Sequence, residues 1–334
     1  MKLRFALLAA VGVALALYLV RYVGWHAVLS AAATIGWTGF ALFCVGALAL
    51  FVLLGTAWQV LLPAALAPRL RVLIGARLVR DAGAEVLPLS QLGGIALGVR
   101  AAMLQGMSAA LASASMIVDV TAEMLAQIAY AVLGVAILLA RVPRSSQVTS
   151  LTSACVIGLL LAAVAAGLFI TVQRRGGRIT ARLARTLRRS AGHTTFTGVG
   201  RALEIIYRSP ARVVLSVALH LAAWVGNGAV VWLGFRLIGA HIDVAAAIAI
   251  ESLVYAIRSA GAFVPNALGV QEGAYLVLGP LFGVPPDLAL AISVLKRARD
   301  IAIGVPVLLS WQAAEGRRAF QTAVRSPAGD GGAQ

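Results

Sequence analysis

Charged side chains interrupt the apolar segments of this sequence at intervals of one helical turn. Residues four positions apart lie on one face of an α-helix, so charges with that spacing form a stripe. Two such stripes are present, one formed by Arg77, Asp81 and Glu85 with Arg80 beside it, and one by Asp119 and Glu123. An ionisable group in a membrane helix costs roughly 2.5–3.5 kcal/mol, so it usually faces protein or water and often marks function. The stripes are therefore the first candidates for a functional site.

Later apolar segments carry a second group of charges. Glu251 and Arg258 lie two helical turns apart, and Glu272 follows them. The last long apolar segment is interrupted by Lys296, Arg297, Arg299 and Asp300. Their spacing predicts the ion pairs Lys296–Asp300 and Arg297–Asp300 within one helix. Charges of this kind either neutralise one another and lock helices together or line a polar interior, and spacing alone leaves both interpretations open.

Together, these charges and the residues that break the same segments predict one polar interior. Its expected members are Arg77, Arg80, Asp81, Glu85, Pro88, Arg100, Asp119, Glu123, Glu251, Arg258, Pro265, Gly269, Glu272, Arg297 and Asp300. Its arginines would suit an anionic or polar head group, because a guanidinium group binds phosphate and carboxylate oxygens in a forked geometry. Four acids would balance those arginines or carry a coupling proton: Asp119, Glu123, Glu251 and Glu272.

The composition indicates that these charges lie in a membrane. The chain is 61% hydrophobic and 12% charged, with a mean hydropathy of +0.93, whereas soluble domains have about 45–50% and about 25%. We therefore expect an all-α integral membrane protein without a soluble catalytic domain. The net charge of +16 does not indicate nucleic-acid binding, because no basic region is interleaved with stacking aromatics.

Cysteine and histidine provide no sign of a metal site. Cys44 and Cys155 lie singly inside apolar segments, and the four histidines are scattered. A metal site built from cysteine and histidine needs these ligands at close spacing. We predict neither a metal nor a cofactor.

The lengths of the apolar segments predict about six full transmembrane helices, because a bilayer core of about 30 Å needs about 20 residues. The expected spans are 5–23, 37–62, 109–140, 150–172, 213–238 and 287–311. Two further regions, 72–107 and 244–283, are apolar but interrupted by proline, glycine and charge. Residues 1–315 are predicted to form a single polytopic membrane domain, followed by a short cytoplasmic tail over 316–334. The first span is expected to be retained, because it lacks a small-x-small cleavage site.

The distribution of arginines predicts the orientation. Segment 173–212 holds ten arginines and one acid, Glu204, and short loops rich in Lys and Arg stay in the cytoplasm. Both termini are expected to be cytoplasmic as well. Each full span takes the chain to the other side of the membrane, so 72–107 must enter and leave on the cytoplasmic face and 244–283 must enter and leave on the outer face. We therefore expect two opposed re-entrant or interrupted helical hairpins. Full crossing by each arm remains an alternative. Segment 173–212 is either a loop or a helix lying on anionic lipid.

The two hairpins also resemble each other in sequence. Residues 80–88 (RDAGAEVLP) are echoed by 258–265 (RSAGAFVP), and the Leu-Gly-Val at 97–99 is echoed at 268–270. Paired interrupted segments of opposite orientation are typical of inverted-repeat transporters, which bind substrate where the repeats meet. The pattern therefore predicts an inverted repeat.

The second hairpin carries a family resemblance. Residues 264–272 (VPNALGVQE) resemble the PGGLGxxE signature of the flippase-like membrane domain of lysylphosphatidylglycerol synthases, and the order of spans is similar over nearly the whole chain. Other segments resemble the hopanoid-biosynthesis-associated branch of that family, namely 36–37, 57–58, 76–81 (ARLVRD), 85–88 (EVLP), 93–94 and 118–123 (VDVTAE). Asn266-Ala267 replaces the Gly-Gly of the signature, which would alter the tightest turn.

The resemblance implies a protein of the bacterial inner membrane that moves or presents a lipid. The implied partners are membrane lipids, either hopanoid or anionic phospholipid, and hopanoid-biosynthetic enzymes. Because a short polar tail stands where the family carries an aminoacyl-transferase domain, we do not expect lipid aminoacylation. Two alternatives are an intramembrane lipid-modifying enzyme with Asp119 and Glu123 as acid and base, and a scaffold that holds biosynthetic enzymes through 173–212.

Overall fold

The computed structural model describes residues 25–86, 90–186, 193–260 and 269–325, and their regular secondary structure is entirely α-helical. The all-α prediction is thus confirmed for the described part of the chain. The predicted first span 5–23, Pro88 and Pro265 lie outside the described residues. The ten helices of the described residues are α1 Trp25–Leu61, α2 Leu70–Val86, α3 Ser90–Leu104, α4 Ala109–Arg141, α5 Ser146–Thr186, α6 His193–Tyr207, α7 Pro210–Leu237, α8 Val244–Ala260, α9 Val270–Leu281 and α10 Pro286–Arg325.

Four of the described helices are long and apolar enough to cross a membrane. The candidate segments are Ala33–Leu61, Ala109–Arg141, Val148–Arg174 and Pro210–Leu237. They overlap the predicted spans 37–62, 109–140, 150–172 and 213–238, whose crossing of the membrane stays a prediction. The predicted span 287–311 is helical throughout, inside α10, but its central charges keep it out of this apolar class. Its crossing of the membrane, and with it the total of six spans, stays a prediction.

Local sequence explains where these helices begin and bend. Ser108 caps α4 by accepting a hydrogen bond from the N–H of Leu111, which satisfies one of the unpaired donors of a helix start. Pro210 opens α7, at a position where its missing N–H costs nothing. Gly36 has a φ of 74° inside α1, a conformation open to glycine but costly for other residues, so the helix kinks just as the predicted span begins.

The first hairpin is a close antiparallel pair of helices, α2 and α3. A Cβ added to Gly94 would lie 2.5 Å from the carbonyl oxygen of Arg80, and one added to Gly98 would lie 2.8 Å from the Cβ of Arg80. Glycine at these positions lets the two backbones approach. The described residues therefore place two short helices in 72–107 as expected. Their re-entrant character stays a prediction.

The second hairpin consists of α8 and α9. The two helices are joined by a hydrogen bond of 2.8 Å from Nη1 of Arg258 to Oε1 of Gln271. Gly269 begins α9 with a φ of 78°, and its N–H donates to Oε2 of Glu272 at 2.9 Å. Residues 261–268 lie outside the described part. The structure thus shows a helix pair at each interrupted region, and the inverted-repeat relation between them stays a prediction.

Each hairpin packs into its own apolar cluster. The first cluster joins α2 and α3 to α1, α4 and α6, and is centred on Trp58, Leu73 and Met116. The second joins α8 and α9 to α1, α4, α7 and α10 through Ile250 and Leu278. In contrast, α5 exposes most of its described apolar side chains, and only 6% of the residues in its most apolar stretch are buried. Such a surface is stable in lipid rather than in water.

Candidate functional site

The two predicted stripes on α2 and α4 face each other across an ion-pair cluster. Arg77 is 1% exposed and contacts three carboxylates: Nε donates to Oδ2 of Asp81 at 3.0 Å, Nη1 to Oδ2 of Asp119 at 2.9 Å, and Nη2 to Oε1 of Glu123. Arg80 reaches the other oxygen of Glu123 at 2.7 Å. A buried charge is tolerated only when it is paired and hydrogen-bonded, and here the pairing also joins α2 to α4.

A histidine from α7 completes this cluster. Nε2 of His220 lies 3.0 Å from Oδ1 of Asp119, and both side chains are fully buried. Nδ1 of His220 has no hydrogen-bond partner within the described residues. The sequence alone does not indicate a role for His220, because a single histidine in an apolar helix has no spaced partner that would mark it.

A second buried cluster surrounds Glu251 of α8. Nζ of Lys296 lies 2.5 Å from Oε1 of Glu251, Nδ2 of Asn227 donates to the same oxygen at 2.9 Å, and the hydroxyl of Tyr275 donates to Oε2. The predicted pair Lys296–Asp300 is therefore wrong. The fully buried ammonium group pairs with a carboxylate on another helix, because no bond to solvent is available to it there.

The other charges of α10 also pair differently from the prediction. Arg297 binds Glu272 of α9 through two contacts, of 2.6 Å and 3.1 Å, so the predicted pair Arg297–Asp300 is wrong as well. Asp300 instead accepts two hydrogen bonds from its neighbour Arg299, at 2.9 Å and 2.7 Å. Lys296 and Arg297 thus pair with residues of other helices, and only Arg299 and Asp300 pair with each other within α10.

Arg258 connects the two hairpins. Besides its bond to Gln271, its Nη2 lies 3.3 Å from both carboxylate oxygens of Glu85 on α2. Gly269 is exposed at the start of α9. Arg100 is separate from the interior: its side chain is 48% exposed and pairs with Glu315 at 2.5 Å. Most of the described members of the predicted interior therefore converge, and Arg100 does not.

A cavity of about 160 Å³ lies between the hairpins and is bounded by α1, α2, α4, α7, α8 and α10. Its ionisable lining comprises Arg77, Arg299, Asp81, Glu85, Glu123 and Asp300. Its other walls are formed by Ala47, Leu50, Phe51, Leu54, Leu78, Ala82, Ala223, Trp224, Asn227, Tyr255, Ile303 and Gly304. Two guanidinium groups thus meet four carboxylates in this lining.

The arginines of this lining do not present free positive charge to a ligand. Arg77 and Arg299 are instead occupied by intramolecular ion pairs, while the carboxylate of Asp300 keeps an oxygen, Oδ2, without a hydrogen bond in the described part of the chain. Because a carboxylate accepts hydrogen bonds, the cavity suits hydroxyl or amine donors better than phosphate.

The described residues contain no group of three or more His, Cys, Asp or Glu side chains arranged to hold a metal ion. The buried cluster of acids around Arg77 is neutralised by guanidinium groups. The chemistry that the described site offers is hydrogen bonding and charge pairing within an apolar surrounding. Trp224 and Tyr255 add aromatic faces to one wall, with ring centroids 4.5 Å apart.

The fold and the site define a helical membrane protein with a polar cavity between two helix pairs. The chain belongs to the lysylphosphatidylglycerol synthase TM region family, whose model matches residues 5–307. A comparison with curated proteins found no match, and a comparison with solved structures found none. Family membership makes this a lipid-related membrane protein.

Proposed function

We propose that this protein moves a membrane lipid between leaflets of the bacterial inner membrane, and that it serves hopanoid production. The observation that carries the proposal is the cavity, whose lining comes from the first hairpin, the second hairpin and four further helices. In transporters built from paired interrupted segments, the substrate site lies where those segments meet. Rocking of the two hairpins, together with the helices packed against them, would change the leaflet to which the cavity opens.

The size and charge of the cavity favour a particular head group. An engineered protein cavity of about 150 Å³ accepts benzene, so 160 Å³ accommodates a small polar terminus rather than a whole phospholipid head group. The carboxylate-rich lining favours a terminus with hydroxyl or amine donors. These features support a hopanoid with a hydroxyl-bearing head group over an anionic phospholipid as the occupant of the cavity.

The burial of the acid–base candidates supports transport over catalysis. An enzyme would need a carboxylate or imidazole within hydrogen-bonding reach of its substrate. Asp119 and His220 form the most suggestive pair, but both side chains are fully buried and neither belongs to the cavity lining. Glu123 does reach the cavity, and both of its carboxylate oxygens are paired with arginines.

Leaflet exchange in reconstituted vesicles tests the proposal. Vesicles would contain a fluorescent hopanoid or fluorescent phosphatidylglycerol, and a membrane-impermeant reductant would report how much label reaches the outer leaflet. We expect protein-dependent exchange of the hopanoid. Absence of exchange of every lipid tested, with folded protein in the vesicles, would contradict the proposal.

A matched pair of substitutions locates the route. Ala223→Leu fills the cavity from α7, where Ala223 is buried, and is expected to abolish exchange. Ala163→Leu makes the same change on the exposed face of α5 and is expected to leave exchange intact. Equal exchange in the two variants would place the route elsewhere.

The alternative functions have their own outcomes. An intramembrane enzyme would convert the lipid, which mass spectrometry of the same vesicles would detect as a new product. For a scaffold, neutralising the arginines of 173–212 would abolish hopanoid production in cells, while Ala223→Leu would be tolerated. Either result would replace the transport proposal.

A further inference from the structure

A wide cleft lies beside the first half of α2, next to the cavity. It has a volume of about 930 Å³ and is bounded by α2, α3 and the second half of α10. Its charged lining consists of Arg69, Arg71 and Arg318, with no acid among its described lining residues. Binding sites for small molecules commonly measure about 300–1,000 Å³, so the cleft is large enough for a head group together with the first part of its chains.

Two of the cleft's arginines differ from those of the interior in being available. Arg69 and Arg71 are exposed, and neither forms an ion pair with another described residue. Arg318 extends toward the same cleft and donates to the carbonyl oxygen of Leu104. Glu315, one turn before Arg318, is paired with Arg100. Guanidinium groups without an internal counter-charge attract phosphate, which they bind through two parallel hydrogen bonds.

The rest of the lining is apolar with a few polar groups. Val72, Val79 and Val307 form part of the wall, and Gln105 and Ser310 supply neutral hydrogen-bonding groups. An inorganic anion gains nothing from an apolar wall, whereas the glycerol and acyl parts of a lipid do. Arg69 and Arg71 also lie on the face that the distribution of arginines predicts to be cytoplasmic, where anionic lipids attract basic residues.

We infer that this cleft binds the phosphate group of an anionic glycerophospholipid, through Arg69, Arg71 and Arg318. The site is distinct from the transport cavity in location and in charge, and it goes beyond the proposed function because binding there needs no leaflet exchange. Leu78 lines both spaces, so a lipid in the cleft would contact the helix that forms one wall of the cavity.

Trp311 provides a reporter for binding, because it lines the cleft. The full-length protein is placed in phosphatidylcholine nanodiscs containing increasing amounts of phosphatidylglycerol with brominated chains, which quench tryptophan fluorescence on contact. The signal of Trp311 is the difference between the wild-type protein and Trp311→Phe. We expect saturable quenching by brominated phosphatidylglycerol and much weaker quenching by brominated phosphatidylcholine. Equal quenching by the two lipids would overturn the proposal.

Paired charge variants test the arginines. Arg69→Gln/Arg71→Gln should raise the half-saturating amount of phosphatidylglycerol about tenfold, the scale expected for loss of charge-assisted hydrogen bonds. Arg208→Gln/Arg212→Gln removes the same net charge on the same predicted face, outside the cleft lining, and should leave it unchanged. Equally weakened lipid binding in both variants would mean that the basic residues attract the anionic lipid without a specific site, and it would overturn the proposal.

Two further readouts separate the source of the phosphate and guard against misfolding. Inorganic phosphate should compete only weakly with the lipid, and competition as strong as that of a short-chain phosphatidylglycerol would overturn the lipid assignment. Because both substituted arginines are exposed, the double variant should have the same melting temperature as the wild-type protein. Sodium chloride should weaken binding more in the wild type than in Arg69→Gln/Arg71→Gln, and equal salt sensitivity would contradict the assignment.

Discussion

The cavity and the cleft share Leu78 in their linings but use arginine in opposite ways. In the cavity, Arg77 and Arg299 are buried and bound to carboxylates of the same chain. In the cleft, Arg69 and Arg71 are exposed and have no ion pair within the described residues. An arginine count therefore does not identify an anion site. The decisive property is whether each guanidinium group already has a counter-charge.

The difference between paired and unpaired arginines also predicts which of them contribute to the stability of the fold and which to ligand binding. Removing one member of a buried ion pair leaves an uncompensated charge and costs about 3–5 kcal/mol, while exposed substitutions usually change stability by about 0.5 kcal/mol or less. Variants of the cavity should therefore change the folded state, and variants of the cleft should change ligand binding alone. Four predictions are given from the largest expected effect to the smallest. The first tests this separation directly, and the others test buried charge, close packing and exposed charge elsewhere in the molecule.

The largest effect is expected for Arg77→Gln. It would leave the carboxylates of Asp119 and Glu123 without their main counter-charge in the interior, so the free energy of unfolding should fall by about 3–5 kcal/mol. Arg71→Gln should change it by about 0.5 kcal/mol or less. Thermal unfolding of both variants in detergent measures the contrast. Similar melting temperatures for the two variants would remove the distinction between cavity and cleft.

The second prediction concerns Lys296 and Glu251. Lys296→Met should cost about 3 kcal/mol or more, because Glu251 remains buried without a cation. The double variant Lys296→Met/Glu251→Leu should recover most of that loss, since an apolar pair can replace a buried ion pair at little cost. Thermal unfolding of the single and double variants measures the recovery. If the double variant is no more stable than the single one, the charges of this cluster have a role beyond pairing.

The third prediction concerns the close approach of α2 and α3. A methyl group at Gly94 would collide with the backbone of Arg80, so Gly94→Ala should separate the helices and cost about 1–3 kcal/mol. Gly75→Ala is the control, because nothing lies within 4 Å of its added Cβ, and it should be neutral or slightly stabilising. Equal stabilities of the two variants would show that the hairpin packs more loosely than described.

The smallest effect is expected at Asp243, an exposed carboxylate between α7 and α8. The N–H of Ala246 donates to it at 2.7 Å and Arg141 pairs with it, and both contacts lower the pKa of Asp243. A lowered pKa contributes stability above the unfolded value of about 3.9, and that stability is lost as the pH falls through the folded value.

Asp243→Asn should therefore lower the melting temperature slightly at neutral pH, by less than the equivalent of about 1 kcal/mol. The difference from the wild type should disappear in acid, below the lowered pKa of Asp243. Melting curves across that pH range measure it. A difference that persists at low pH would show that the substitution acts through something other than the charge.

The sequence located the four long apolar helices of the described part because an uninterrupted apolar segment of that length is visible in the sequence itself. It also located the two helix pairs, because proline, glycine and charge interrupt an apolar segment visibly. The ion-pair partners of α10 could not be predicted, since Lys296 pairs with Glu251, 45 residues away. The preference for Asp300 was based on spacing along one helix, and such surface pairs contribute only about 0.2–0.5 kcal/mol. Tertiary burial outweighs a preference of that size.

The charge of the cavity also could not be predicted from the sequence. Arg77 and Asp81 were visible as one stripe, but the sequence does not show whether a guanidinium group faces a ligand or a carboxylate on another helix. His220 carried no signal at all. The unpaired arginines of the cleft, Arg69 and Arg71, were noted only as markers of orientation, because their meeting with α10 depends on the fold.

The dependence of α2 on α4 also constrains the order of events during synthesis. Five charges fall within the 17 residues of α2, each costly to place in lipid alone. The partner carboxylates of Arg77 on α4 are 42 and 46 residues further along the chain. When α2 leaves the ribosome, those partners have not yet been made. The first hairpin should therefore wait beside the insertion machinery and enter the bilayer together with α4, as a single preassembled unit.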